Sequence, residues 1–194
     1  MSWYYQSWRH ALARRGVKTK LNGVVVAKTR QGIPITVKNV GKQGKAYPIR
    51  PNDVKEIMDK IPDKYTEGIK EVNFRDPSTV AGSKQDLAYA QWVRTKEGGG
   101  NRINIFSQPF QAGKFNHVEP GNEDPEMLRQ HMKNYVIPHE VGHHVAAKKD
   151  NHLPIIVEEA KADAFAAREN PDDPYILEKH INHREVMFGF KGTI

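Results

Sequence analysis

The run Val136–Ala147, VIPHEVGHHVAA, decides how the rest of the chain is read. Within it, His139-Glu140-Val141-Gly142-His143 sets two histidines four positions apart. In a helix, residues at that spacing lie on one face, one turn above the other. The imidazoles of His139 and His143 then converge on a point where a tetrahedral cation can bind. Glu140 projects beside that point and is free to act as a base. This is the arrangement of a zinc site with its own general base. Val141, Val145, Ala146 and Ala147 suit a buried helix, and Gly142 lets another backbone come close. The pattern fixes only three residues in a chain with nine histidines, so the plain alternative is a surface helix carrying two solvated imidazoles.

A catalytic zinc needs a third protein ligand and an open position for water. The helix expected from Pro154 to about Asn170-Pro171 offers a ligand. Glu159 and Asp163 share one face, and small Ala162 and Ala166 let helices pack closely. Glu159 can ligate the metal. Asp163, one turn on, can accept the second ring N–H of a ligating histidine and orient it. Read without its neighbour, the same stripe is a solvated acidic face.

Together, His139-Glu140-Val141-Gly142-His143 and Glu159-Ala160-Lys161-Ala162-Asp163-Ala164-Phe165-Ala166 resemble the gluzincin metallopeptidases. The second piece is similar to their Glu-x-x-Ala-Asp or Glu-x-x-Ala-Asn segment, often continued x-Phe-Ala. The order of elements over residues 52–170, roughly 60% of the chain, is similar to archaeal minigluzincins and ImmA/IrrE-type peptidases. The resemblance implies His139, His143 and Glu159 as ligands of one Zn²⁺, Glu140 as base, and Asp163 as support for a ligand. It also implies an α+β zincin-like domain, a short, mostly antiparallel sheet with the two motif helices. Metzincins would need Gly and His where Ala146 and Lys149 stand. SprT-like, DNA-associated proteases use a third histidine, which His152 could imitate, but the Glu-x-x-Ala-Asp segment favours the gluzincin pattern.

Charge divides the chain. Residues 1–52 hold 11 basic groups and no acidic one, whereas the remaining 142 carry 19 basic and 23 acidic groups. The expected division is therefore a basic N-terminal module, residues 1–51, and a peptidase domain, residues 52–194. In the module, Tyr4, Trp8 and Leu12 form an apolar stripe on a helix over Ser2–Arg15, closed by Gly16. Gly23–Thr29 and Ile33–Val40 read as a hairpin across Arg30-Gln31-Gly32, with a short extended piece at Ala46–Arg50. Nucleic acid could meet Trp8, Arg9, Arg14, Arg15, Lys18 and Lys20. An anionic membrane could meet the same helix, or the aromatics are core residues and the cations solvated.

Beyond the module, Asn52 or Asp53 can cap a helix over Val54–Ile61, with Val54, Ile57, Met58 and Ile61 on one face and Pro62 ending it. Ile69–Phe74, Leu87–Val93 and Arg102–Phe106 read as strands, and Ser107–Glu123 as a polar loop. Asp124-Pro125-Glu126 starts a helix through Met127, Leu128, Met132 and Tyr135, which Pro138 must kink or divide. A last helix is expected over Tyr175–Met187, with a tail, Phe188–Ile194, able to fold into the cleft.

The chain has no cysteine, which removes thiolate zinc sites and disulfides. It shows no secretory signal or membrane-spanning run, so a cytoplasmic protein is expected and membrane association is not. The function expected is a zinc endopeptidase acting on protein or peptide substrates laid along Arg102–Phe106. The oxyanion donor is open among His152, Tyr175, His180, His183 and Arg184. The competing class is a non-catalytic, nucleic-acid-binding protein in which zinc staples two helices.

Overall fold

The computed structural model describes residues 23–38, 45–75, 89–93, 101–111, 114–115, 124–149 and 153–171. The expected helices over Ser2–Arg15 and Tyr175–Met187 and the tail Phe188–Ile194 lie outside them, as do Trp8, Arg9, Arg14, Arg15, Lys18, Lys20, His152, Tyr175, His180, His183 and Arg184.

The fold is α+β. The hairpin forms as β1 (Val24–Lys28) and β2 (Pro34–Val37), joined by a turn in which Gly32 takes φ 80°. Next come β3 (Lys45–Ala46), α1 (Pro51–Lys60), α2 (Asp63–Thr66), β4 (Ile69–Arg75), β5 (Ala90–Val93) and β6 (Asn101–Phe106). After these stand β7 (Gln108–Gln111), β8 (Lys114–Phe115), α3 (Pro125–His131), a π-helical turn (Met132–Val136), α4 (Ile137–Lys149) and α5 (Ile155–Glu169). A five-stranded sheet runs in the order β1-β2-β4-β6-β5, and β3-β7-β8 form a second, three-stranded one.

Two expectations need correction. The main sheet is not mostly antiparallel: β1/β2 and β6/β5 are antiparallel, but β2/β4 and β4/β6 are parallel. Strand alternation tells which side chains turn inward, not which strand lies alongside. The boundary at residue 51 also runs through one continuous sheet and core. β2 pairs with β4, and Ile33, Ile35, Val37 and Ile49 share a core cluster with residues of α1, β4, β6, α4 and α5. The hairpin's acid-poor composition reflects surface charge, not an independent unit. Its cations meet acids from beyond residue 52: Lys38 bonds Glu71 at 2.7 Å, and Arg30 bonds Asp59 through its backbone N–H and Asp63 through its guanidinium.

The core is built in rows across the strands. Ile35, Val72, Ile103 and Trp92 stand in register, as do Val37, Phe74, Ile105 and Ala90. This face packs against the helices, including Val54, Ile57 and Met58 of α1 and Ile61 just past its end. The opposite face bears Thr36, Asn73 and Asn104 in register, with Thr36 donating to Asn73 and Asn73 to Asn104. α1 begins at Pro51 with Arg50 as its cap residue, not Asn52 or Asp53, because proline fits the first helical position. Asp53 instead accepts the Arg50 N–H and a two-pronged bond from Arg129 at 2.7 and 2.8 Å, tying α1 to α3. Burial pulls the Asp53 carboxyl upward, but the guanidinium outweighs it and holds the group below its ordinary range.

Asp124 caps α3 as expected, accepting from the Glu126 and Met127 N–H groups. Pro138 neither divides nor simply kinks the helical run from α3 into α4. Without an N–H it cannot bond Asn134 O, and the helix absorbs the fault as a π turn in which Ile137 N–H reaches Met132 O. The Asn134 carbonyl accepts instead from Asn170 Nδ2, at the end of α5, at 2.8 Å. The expected polar loop after residue 106 holds β7 and β8, and β7 pairs with β3.

Candidate metal centre

α4 and α5 build the site by packing unusually close. A Cβ on Gly142 would stand 2.6 Å from Ala162 Cα, 2.9 Å from Ala162 O and 3.0 Å from Phe165 Cβ. Only glycine facing a small residue permits that approach, as both motifs anticipate. The crossing sets Glu159 of α5 against His139 and His143 of α4. One ligand atom from each of the three lies within 4.8 Å of the others, close enough to share one cation.

His139 Nε2 and His143 Nε2 are 3.0 Å apart, and the Glu159 carboxylate lies 3.2 Å from the first and 3.6 Å from the second. The other ring nitrogens face carboxylates: His139 Nδ1 is 2.8 Å from Asp163 Oδ1, and His143 Nδ1 is 3.2 Å from Glu158 Oε1. The first of these contacts is bent away from hydrogen-bond alignment, so His139 Nδ1 is buried without an aligned acceptor. In the neutral rings, both carboxylates place the proton on Nδ1, leaving two Nε2 lone pairs aimed at each other and at a third acceptor. Three acceptors at such distances can share one cation, and a proton on one Nε2 serves in its place. Burial lowers the His139 pKa, but Asp163 and Glu159 outweigh it and push it up to about 9. Bonding to His139 in turn holds Glu159 below its usual range. The imidazoles are mostly enclosed, whereas the Glu159 side chain is 46% exposed, so the site opens on that side.

Glu140 sits beside the triad and is buried. Burial raises its pKa, against the pull of both imidazoles. Its carboxylate accepts the backbone N–H of Trp92, in β5. That bond reflects the strand register. Phe106 N–H bonds Tyr89 O, so along this antiparallel pair the groups of residues 89, 91 and 93 turn toward β6 and those of Ala90 and Trp92 turn away. Among the described residues β5 is an outer strand, whereas β6 is paired on both sides. The expected placement of a substrate along Arg102–Phe106 is therefore overturned, since that strand has no edge to offer.

Three participants were not anticipated. Glu158 faces His143, Tyr135 donates to Asp163 Oδ1 at 2.5 Å, and Trp92 both binds Glu140 and stacks near the His143 ring at 6.5 Å. All three depend on contacts distant in sequence, which local spacing does not reveal. His144, by contrast, is structural. Its Nε2 lies 2.9 Å from the Glu67 carbonyl and must carry the proton, so Nδ1 accepts from Asn101 Nδ2, also at 2.9 Å. Burial lowers its pKa and keeps it neutral.

Among the described residues, no helix is long and apolar enough to cross a membrane. No family model, curated protein or solved structure matches this chain.

Proposed function

We propose that the chain is a zinc-dependent endopeptidase of the gluzincin type. The observation that carries this reading is the convergence of His139, His143 and Glu159 within 4.8 Å, with buried Glu140 alongside. Two imidazole nitrogens and one carboxylate, with a side open to solvent, are a donor set suited to catalytic zinc. A carboxylate in third position favours this type over one with a third histidine.

When bound, zinc would supply Lewis-acid activation of water and of a peptide carbonyl. Glu140 takes a proton from water and delivers it to the leaving amine. Its burial raises its hold on a proton, which suits both halves of that transfer. Trp92 N–H holds one oxygen of Glu140 and leaves the other to face the reacting groups. Asp163 and Glu158 hold the two imidazoles with Nε2 toward the metal position. A protein or peptide substrate extends along the outer side of β5, where the Ala90 backbone groups and the Trp92 carbonyl point outward, the Trp92 N–H being held by Glu140.

Metal analysis of the purified chain and replacement of Glu140 test this together. The wild type should hold one zinc and cleave peptides. Glu140→Gln should lose at least about 100-fold in turnover while retaining zinc and melting temperature. A chain without zinc, a zinc-loaded chain that cleaves no peptide, or cleavage indifferent to Glu140 sinks the reading; the second leaves a stapling metal in a non-catalytic protein.

A further inference from the structure

Tyr135 reads from sequence as one more apolar residue on the way to the His-Glu motif. Its surroundings say more. It is 6% exposed, and its ring lies 5.3 Å from that of His139. Its hydroxyl donates to Asp163 Oδ1 at 2.5 Å, the same oxygen that faces His139 Nδ1 at 2.8 Å. Asp163 is likewise 6% exposed, so its charge is held by the donors around it and not by bulk water. An O–H bond to a carboxylate is of the stronger, charge-assisted kind.

Tyr135 also stands in the π-helical turn, where the helix carries a surplus residue. That turn is stapled to α5 a second time, through Asn170 and the Asn134 carbonyl. The irregularity thus binds the segment before α4 to both the middle and the end of α5. Such single turns are often found at functional sites.

From this geometry we infer that Tyr135 is a positioning residue for the metal centre, acting through Asp163 on His139. The inference rests on the metal reading above. The hydroxyl fixes the carboxylate on α5, and that carboxylate stands 2.8 Å from Nδ1 of the ring whose other nitrogen faces Glu159 and His143, placed to draw Nδ1–H into line when the metal binds. A helix bundle needs none of this for packing alone, because a phenylalanine ring would fill the same space.

The test measures zinc affinity by chelator competition at one pH, together with melting temperatures of metal-free and zinc-loaded protein. Four full-length chains are compared: wild type, Tyr135→Phe, Asp163→Asn and the double variant. Tyr135→Phe should bind zinc about tenfold more weakly, within the range for residues that support a ligand. Its metal-free melting temperature should fall somewhat, because Asp163 loses a donor, and the zinc-loaded form should fall further. In the Asp163→Asn background, the same replacement should change affinity little, because the route through Asp163 is already broken. Tyr135→Phe with wild-type affinity overturns the inference and leaves the metal reading standing. So does an equal fall in both melting temperatures with affinity unchanged, which marks a packing role, or a full additional loss in the double variant. A wild-type chain that binds no zinc overturns the metal reading itself, and the inference with it.

Discussion

Adding one methyl group at Gly142 probes the junction on which the site depends. The new Cβ would meet Ala162 Cα at 2.6 Å, short of ordinary 3.4 Å contact by about 0.8 Å. Both close atoms of Ala162 belong to backbone, so no side-chain rotation relieves the overlap, and α4 and α5 must separate. Alanine favours the helix by up to about 1 kcal/mol over glycine, but overpacking costs about 1–3 kcal/mol, and a backbone clash belongs at the upper end. The net loss is about 1–2 kcal/mol, or roughly 2–8 °C in melting temperature at this chain length. Affinity should suffer more. Ala162 is less than a turn from Glu159, so the opening moves Glu159 away from His139 and His143 by several times the roughly 0.2 Å a metal site tolerates. Zinc binding should weaken by about 100-fold or more, the upper end of what disturbed supports cause. Chelator competition and thermal unfolding of the metal-free chain measure the two effects. Ala162→Gly should not rescue Gly142→Ala, because it removes neither offending atom. A Gly142→Ala chain with wild-type affinity and melting temperature would refute the close crossing, and with it the mutual placement of the ligands.

Two other outcomes are expected. In the metal-free protein, His139 titrates near 9 against 6.5 when unfolded, so its contribution to stability is full below pH 6.5 and is lost as pH rises through about 9. The proton competes with the metal over the same window, so apparent zinc affinity should rise with pH there; His139→Gln should abolish the pH-dependent part of metal-free stability seen in thermal unfolding. Replacing His144 by Ala leaves Glu67 O and Asn101 unpartnered and opens a fully buried space, costing about 2–4 kcal/mol by denaturant unfolding. Zinc stoichiometry should stay unchanged, separating His144 from its neighbour His143.

The centre is legible in the sequence because its pattern is local. Helical spacing alone puts His139 above His143 and Glu159 above Asp163, and Gly142 and Ala162 announce a close crossing. Which strand lies beside which is set by contacts distant in sequence. Ala88 and Ala90 make Leu87–Val93 a doubtful strand on pattern alone, and β6, with Ile103, Ile105 and Phe106, looks like the natural platform for a substrate. Its apolar character comes instead from lying inside the sheet. Pro138 signals trouble in the helix, but its resolution as a π turn depends on Asn170, 36 residues from its bonding partner. Tyr135 gives no hint of its hydroxyl's partner, because a periodic apolar stripe treats tyrosine as bulk.

The hairpin of β1 and β2 bears on how the protein can be dissected. A chain begun at the charge boundary would strip β4 of its neighbour, exposing a row of unsatisfied amides beside Val72 and Phe74, both of which are fully enclosed in the intact protein. A bare, apolar border of that kind recruits other chains. The smallest well-behaved fragment therefore begins ahead of Gly23, and any trial of the extreme basic arm as a detachable accessory must cut there.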